Sequence, residues 1–238
     1  MVNVLLTYYN FDGEWAYPHL EKYVKGAKVL ILPLAYREFQ AWDNDSFLSI
    51  YGKGGEKYPA ITRPFLSYGL KESDLDWLNP YEYEERSKEH DEQIKEKRRQ
   101  KHLVQINNAD LLFFTGGMPE KAIKRMDELG ITDAVKNFKG VVMGASAGAM
   151  LQLETYHITP DEDYAEYGMW HGLGLVSGFD LEVHYLATPI QQQCSRRALQ
   201  ENGLPIYQMW HEGGLVVVDN NVTVMGNVEL LVDDSEIR

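Results

Sequence analysis

The sequence predicts an α/β fold in which helices cover both faces of a doubly wound, mostly parallel sheet. Two observations lead to this prediction. Four short, continuously apolar runs lie at residues 2–7, 28–34, 109–115 and 140–144, and strands buried on both faces of a parallel sheet have this composition. Segments with helical patterns separate the runs, and such an alternation is typical of a parallel sheet.

Helices can be placed between and after these runs. Residues 119–129 have the apolar spacing of a helix and are followed by Gly130, a typical C-terminal stop. Thr132 is a candidate cap for a second helix over residues 133–138. A further helix is predicted over residues 190–201. These segments supply the layers that cover the sheet.

The last part of the chain has a different pattern. Residues 214–219, 222–226 and 228–232 read as three short strands, and Asn220 and Asn221 form a plausible tight turn after the first of them. We therefore expect a small antiparallel addition on the edge of the sheet near the C-terminus.

A single domain is predicted over residues 1–238. Residues 81–101 are the most charged stretch, which indicates a solvated helix or a partly mobile insertion. Residues 41–80 are rich in aromatic residues, glycine and proline, and are expected to form irregular loops with one short helix. No repeat or linker divides the chain.

Composition limits the classes of partner. The chain has 36 acidic and 23 basic side chains and a formal charge of −13, so its surface repels phosphate backbones and disfavours nucleic acid as a partner. Cys194 is the only cysteine, which rules out an intrachain disulfide and a cysteine metal cluster. The first apolar run lacks a basic flank and is too short for a signal peptide or a membrane span. We expect a cytoplasmic protein that does not enter membranes.

The strongest motif for chemistry is Gly-Ala-Ser-Ala-Gly at residues 144–148. It follows a predicted strand and precedes a helical run at residues 149–153, which is the context of a nucleophile elbow. The turn would present the Ser146 hydroxyl at a helix N-terminus, where developing negative charge is favoured. The alternatives are a small-residue turn that packs a helix on a sheet, or a phosphate cradle.

A second glycine turn, Gly116-Gly117, ends the apolar run at residues 109–115. The carboxyl ends of parallel strands are where ligands bind in such sheets, and glycine lets backbone N–H groups approach an oxyanion. Gly117 and Ala147 are therefore the candidate oxyanion donors. The alternative is an ordinary glycine turn.

A serine nucleophile needs a base, and the chain has seven histidines. His184 lies near the end of an alternating strand at residues 178–185, from which an imidazole can point back at the elbow. His171 and His211 are the rivals. The alternative for His184 is a strand histidine that is satisfied by a neighbouring side chain.

Taken together, these motifs resemble the serine peptidase family S51, which includes peptidase E (aspartyl dipeptidase) and cyanophycinase. The family has the class I glutamine amidotransferase-like, flavodoxin-like fold. The matching segments follow one another in the family's order over about half of the chain, at residues 109–117, 144–149, 172–175, the strand that leads to His184, and 211–217.

The resemblance implies a role for each matching residue. Ser146 would be the nucleophile and His184 the general base. The family's third member is an acidic residue downstream of the serine, which here falls at Asp161 first and Asp163 second. Glu212 is another carboxylate that the resemblance places near the site, for the base or for a substrate amine. The acid of the triad thus stays open among these three.

The chain also departs from the family pattern. Met118 and Pro119 follow the glycine pair where relatives carry a polar pair, and Arg196 and Arg197 lie farther from His184 than the arginines of cyanophycinase-like members. A preference for aspartate is therefore unsupported by any well-placed arginine. The elbow of the amidotransferases carries cysteine, whereas Cys194 lies away from the elbow in sequence, so thiolate chemistry is disfavoured.

The resulting hypothesis is a serine peptidase that hydrolyses a short or unusual peptide without a metal or an organic cofactor. Its expected partner is a small peptide substrate, and a homodimer is a possible assembly. Two alternatives remain. One is a catalytically inactive protein of the same fold that binds a small ligand or a partner. The other is an esterase or amidase that acts on a non-peptide substrate, because the same triad serves all acyl transfers.

Overall fold

The computed structural model describes residues 1–83 and 92–233. These residues contain ten strands: β1 (Val2–Leu6), β2 (Val29–Leu32), β3 (Leu75–Trp77), β4 (Leu111–Phe114), β5 (Val141–Ala145), β6 (Thr155–Ile158), β7 (Gly168–His171), β8 (Asp180–Glu182), β9 (Ile206–Val218) and β10 (Asn221–Leu231). The helices in the same residues are α1 (Tyr17–Val24), α2 (Asn44–Tyr51), α3 (Tyr58–Ser67), α4 (Glu92–Asn108), α5 (Pro119–Glu128), α6 (Thr132–Lys136), α7 (Ala147–Met150) and α8 (Pro189–Asn202).

Eight of these strands form one mixed sheet. Its order is β10-β9-β1-β5-β4-β2-β3, and β8 pairs with the first part of β9. The five adjacent strands β1, β5, β4, β2 and β3 are all parallel. Strand β9 runs antiparallel to both β1 and β10. Strands β6 and β7 form a separate antiparallel pair. The predicted doubly wound, mostly parallel α/β fold is confirmed.

Alternate residues of the central strands pack into two hydrophobic layers, one on each face of the sheet. Phe113 and Ile31 pack on one face with apolar residues of α1, α2 and α3. Leu112 and Leu30 pack on the other face with residues of α4, α5 and α6. Because successive strand residues point to opposite faces, a continuous apolar run is what a sheet covered on both sides requires.

The C-terminal addition is antiparallel, as predicted, but its division into strands was wrong. Residues 222–226 and 228–231 belong to one strand, β10, and a bulge between Gly226 and Val228 interrupts its pairing. Strand β9 begins at Ile206, before the predicted start. The tight turn is centred one residue earlier than predicted, at Asp219 and Asn220, which both have positive φ angles (49° and 64°).

The prediction of irregular loops over residues 41–80 was also wrong. The region forms α2, α3, a short 3₁₀ helix (Glu72–Asp74) and β3. Helix α2 starts with a reciprocal capping box in which the Asp43 side chain accepts from the Ser46 amide. The aromatic residues that suggested loops are core residues, since Phe47, Tyr51 and Phe65 are almost fully buried.

The charged stretch is only partly described. Residues 84–91 lie outside the described part of the chain, and residues 92–101 form the first half of α4. Helices α5, α6 and α8 lie close to their predicted positions. Thr132, however, is the first residue of α6 and not its cap, because Ile131 occupies the N-cap position. Within residues 1–83 and 92–233, every helix is too short or too polar to span a membrane.

Candidate active site

Ser146 occupies a sharp turn between β5 and α7. Its backbone adopts φ 54° and ψ −118°, a conformation that costs a non-glycine residue on the order of 1–3 kcal/mol. The flanking glycines are required by close packing. A Cβ on Gly144 would lie 2.1 Å from the carbonyl oxygen of Gly148, and a Cβ on Gly148 would lie 2.2 Å from that of Phe114. The turn therefore has the geometry of a nucleophile elbow.

The helix after the elbow is shorter than the sequence suggested. Helix α7 has only one turn, Ala147–Met150, instead of continuing through residue 153. So short a helix has little macrodipole. The Ala147 amide makes no hydrogen bond within the described residues. An anion next to Ser146 can therefore accept a hydrogen bond from the Ala147 amide, and the dipole of α7 contributes little.

The glycine pair after β4 forms a second backbone wall beside the serine. The Gly116 amide donates a 2.7 Å hydrogen bond to the Tyr9 hydroxyl, whereas the Gly117 amide is without a partner among the described residues. Gly117 has φ 136°, and a Cβ there would lie 2.1 Å from the carbonyl oxygen of Ala35. Only glycine fits at this position. Because its amide has no partner in the described residues, the amide is available as a hydrogen-bond donor.

His184 lies just after β8 and reaches the elbow. Its Nε2 atom is 2.7 Å from the Ser146 Oγ atom. Tyr8, at the end of β1, packs its ring against the imidazole at a centroid distance of 4.3 Å. The pKa of His184 is lowered to about 4, mainly by burial, against the opposing charge of Asp161 and with a smaller contribution from His211. The imidazole is therefore neutral at pH 7, and its Nε2 atom is placed to accept a hydrogen bond from the Ser146 hydroxyl.

The three candidate acids occupy different positions. Asp161 lines the same cavity as Ser146 and His184, but its Oδ1 atom accepts from the amides of Asp163 and Tyr164. The Nδ1 atom of His184 is buried and has no hydrogen-bond partner in the described residues. Asp161 thus acts on His184 through its charge and not through a hydrogen bond.

Asp163 and Glu212 are engaged or placed elsewhere. Asp163 forms a two-pronged ion pair with Arg37, which follows β2, and Arg37 also contacts Glu162 at 3.2 Å. This pairing ties the acidic loop to the carboxyl end of the parallel sheet. Glu212 is exposed on β9 and does not line the cavity. None of the three therefore completes a hydrogen-bonded triad here.

The cavity beside Ser146 has a volume of about 260 Å³. One wall is apolar and includes Met150, Leu181 and Ile190. Its charged or titratable lining residues in the described chain are Asp161, Glu182, Tyr164, His157 and His184, with no lysine or arginine among them. No three His, Cys, Asp or Glu side chains of the described residues are arranged to hold a metal ion.

Comparison with known proteins identifies the family. The profile of peptidase family S51 matches residues 85–225, more than half of the chain. The chain belongs to peptidase family S51. No curated protein sequence matches the chain.

Solved structures share the fold of this S51 member. A protein of Listeria monocytogenes EGD-e that carries a peptidase E designation is 16% identical, with a TM-score of 0.61 over 94% of this chain and 96% of its own. A peptidase from an acI-B1 actinobacterium is 14% identical, with a TM-score of 0.54 over 98% of this chain and 94% of its own. At these identities the similarity shows a common fold.

The departure of this S51 member at Met118 and Pro119 has a structural explanation. Met118 is the N-cap residue of α5 and its amide donates to the Ala35 carbonyl at 2.7 Å, while Pro119 is the first residue of the helix. Proline is favoured at this position because its missing N–H would have no helical partner. The two residues therefore fix the loop that carries Gly117 and begin α5 at the edge of the cavity.

The rival histidines and the cysteine lie outside this arrangement. His171 is exposed on β7. His211 is exposed and its ring also packs against Tyr8, at a centroid distance of 4.3 Å. Cys194 is buried in α8, and burial raises the pKa of its thiol, which disfavours the nucleophilic thiolate.

Sequence reasoning missed one group of residues next to the site. His157 is buried between the carboxylates of Asp180 and Glu182. The available signal was the pair of acidic residues two positions apart in an otherwise apolar segment, because such a pair points to one face of a strand. Their partner lies more than twenty positions upstream, and only the fold reveals it.

Proposed function

We propose that the chain is a serine peptidase in which Ser146 and His184 form the reactive pair. The observation that supports this most directly is the 2.7 Å contact between His184 Nε2 and Ser146 Oγ at a strained elbow. A partly buried histidine that is neutral at pH 7 has a free ring nitrogen that can take a proton from a hydroxyl. Membership in a peptidase family favours an amide as the bond that is cleaved.

In the proposed reaction, Ser146 Oγ attacks the substrate carbonyl carbon while His184 Nε2 takes the hydroxyl proton. The amides of Gly117 and Ala147 donate to the oxygen that becomes negatively charged. His184 then gives its proton to the leaving amine, and the C–N bond breaks to leave an acyl-enzyme. A water molecule then attacks the acyl carbon as His184 takes one of its protons, and the C–Oγ bond breaks as His184 passes this proton to Ser146, which releases the acid product. Asp161 stabilises the transient imidazolium by its charge.

The cavity favours a substrate whose side chain next to the scissile bond is neutral or basic. Its described lining carries the carboxylates of Asp161 and Glu182, and the nearby Arg37 already pairs with Asp163. An aspartyl side chain would meet net negative charge, because the described lining has no lysine or arginine and the one buried histidine between carboxylates, His157, is already paired. The volume of about 260 Å³ accommodates one or two residues, so a short peptide is the proposed substrate.

Labelling by a fluorophosphonate tests the proposed chemistry. The purified protein is expected to form a stoichiometric adduct at Ser146, detected by intact mass and located by peptide mass spectrometry, because only an activated serine reacts at a useful rate. Ser146→Ala should abolish the adduct. Ser49→Ala provides the control, since Ser49 is an exposed serine of α2, away from the cavity, and its hydroxyl donates to the Ser46 carbonyl. A folded protein that takes up no label would favour the inactive, ligand-binding alternative.

A substrate panel separates the peptidase from the esterase alternative. It compares kcat/KM for dipeptides that begin with Asp, Gln, Leu or Lys and for simple esters of the same acids. Higher values for neutral and basic dipeptides than for Asp-X are expected. Hydrolysis of the esters alone would assign the site to a non-peptide substrate.

The acid limb of the pH profile is expected to lie well below the ordinary histidine range. Since the pKa of His184 is lowered to about 4, kcat/KM should remain nearly constant down to about pH 5 and fall as the base becomes protonated. Circular dichroism at each pH checks that the protein stays folded. An acid limb near pH 6.5 would contradict the buried, neutral state of this imidazole.

A further inference from the structure

A buried charged group lies beneath the cavity, between β6 and β8. His157 Nδ1 is 2.8 Å from Asp180 Oδ2, and His157 Nε2 is 2.9 Å from Glu182 Oε2. The three side chains are 1%, 0% and 6% exposed, respectively. Glu182 Oε2 also accepts from the hydroxyl of Thr159 at 2.6 Å. The reaction proposed above assigns no role to this group.

The geometry defines the protonation of His157. Both ring nitrogens face carboxylate oxygens, so both must carry protons for each contact to be a hydrogen bond. Burial alone would lower the pKa of His157, but the hydrogen bonds and charges of Asp180 and Glu182 raise it to about 10. An imidazolium with two carboxylates leaves one net negative charge, and buried charges persist only when they are paired in this way.

This group is linked to the base. Glu182 is the last residue of β8, two positions before His184. The Gln191 side chain in α8 donates to the His184 carbonyl oxygen at 2.9 Å and to Glu182 Oε1 at 3.4 Å. His184 itself has φ 54°, an unfavourable backbone conformation that persists only when its surroundings enforce it.

Strand β8 is short, and His157 is the residue that contacts both of its acidic side chains. Thr159 and Ser195 donate hydroxyl hydrogen bonds to Glu182 alone. The strand has only three residues, and its sheet partner is the first part of β9. Asp180 is fixed by the ring of His157 and also accepts from the His157 backbone amide at 3.2 Å. The imidazole of His157 therefore joins both acidic residues of β8 to β6, and the end of β8 determines where the His184 turn begins.

We infer that His157 is a positioning residue for the reaction: clamped between Asp180 and Glu182, it holds the end of β8, and through Gln191 the His184 turn, so that the His184 imidazole meets Ser146. The inference rests on the proposed function. A misplacement of about 1 Å between reacting groups can lower a rate by about 10²-fold, so the effect of such a clamp is measurable.

His157→Gln tests this inference. The variant keeps a side chain of similar length but has no charge and cannot contact both carboxylates. We expect kcat, normalised to folded protein and measured below the unfolding temperature, to fall by about 10–100-fold with little change in KM. The matched control is His102→Gln, a buried histidine of α4 whose Nε2 atom contacts only the Asn79 carbonyl. That variant should lose stability but keep its kcat.

A second variant cuts the link and leaves the clamp. Gln191→Leu removes the donor to the His184 carbonyl, together with the acceptor of the Leu186 amide and the side-chain half of the α8 capping box, while His157, Asp180 and Glu182 keep their mutual contacts. It should lower kcat in the same sense as His157→Gln with a smaller loss of stability. If His157→Gln does not fold, this variant decides the question, since an unchanged kcat in Gln191→Leu would overturn the inference.

Nitrogen-15 NMR of the His184 ring supplies a readout that does not depend on turnover. Ser146→Ala gives the reference spectrum of an Nε2 atom without a serine partner. We expect His157→Gln to shift the His184 Nε2 signal toward that reference and His102→Gln to leave it at the wild-type position. If the His157→Gln protein has the wild-type signal and kcat, His157 contributes to stability and does not position His184. A wild-type protein without activity would refute the proposed function, and the spectra would still test the positioning.

Discussion

Replacing His184 with alanine is expected to lower kcat by about 10⁴-fold or more, with a small change in KM. The imidazole is the only group of the described chain within hydrogen-bond distance of the Ser146 hydroxyl, and without it no base takes the proton during attack or returns it to the leaving amine. The protein should stay folded, because His184 is partly exposed at the cavity. Steady-state kinetics with active-site titration measures the loss.

Two further variants make this result specific. Ser146→Ala combined with His184→Ala should be no worse than either change alone, since residues that act as a unit are strongly non-additive. His171→Ala is the matched control, because this histidine is exposed on β7 and should retain wild-type kcat. Normal turnover by His184→Ala together with loss in His171→Ala would show that the base has been assigned to the wrong residue.

The second large effect is expected for Gly117→Ala, with a loss of about 10²–10³-fold in kcat. The new Cβ would lie 2.1 Å from the Ala35 carbonyl oxygen, and the φ of 136° is strained for any other residue. The loop must move to relieve this contact. Its amide then no longer points at the oxyanion, so transition-state stabilisation is lost while the serine and histidine remain in place.

Gly26→Ala separates backbone strain from displacement of the loop. Gly26 also has a positive φ, 78°, but a Cβ there would meet nothing within 4 Å, and it lies after α1 away from the cavity. This variant should lose some stability, on the order of 1 kcal/mol, and keep full activity. If Gly117→Ala retains wild-type kcat at normal stability, Gly117 does not supply an oxyanion donor.

The parts of the fold that the sequence predicted are those set by local chemistry. Continuous apolar runs identified β1, β2, β4 and β5, because strands covered on both faces have no polar side. Residues 41–80 were misread since their aromatic residues and prolines resemble loop composition, yet Pro59 is tolerated in the first turn of α3 and the aromatic side chains pack into the core. The bulge at Gly226 divided one strand into two apparent ones.

In the candidate site, too, the sequence predicted the residues whose conformation depends on their immediate neighbours. Ser146 and Gly117 were identifiable because their backbone conformations require a particular local sequence. His184 was singled out by its position near the end of an alternating strand, and the family resemblance then favoured it over His171 and His211. The sequence could not show that the Nδ1 atom of His184 lacks a partner. Asp161 Oδ1 accepts instead from the amides at residues 163–164, and only the fold reveals this. Long-range groups such as His157 with Glu182 appear only once the chain is folded.

Strand β9 joins the parts of the fold that carry His184 and Ser146. Its first residues pair with β8, which leads to His184, and its last residues pair with β1, the neighbour of the strand that ends at Ser146. Between these pairings, Met209 accepts the Tyr185 amide and Gly213 accepts the Thr7 amide. The backbone of β9 therefore helps to set the distance between His184 and Ser146, so a substitution that bends this strand over residues 209–213 is expected to move the imidazole relative to the hydroxyl.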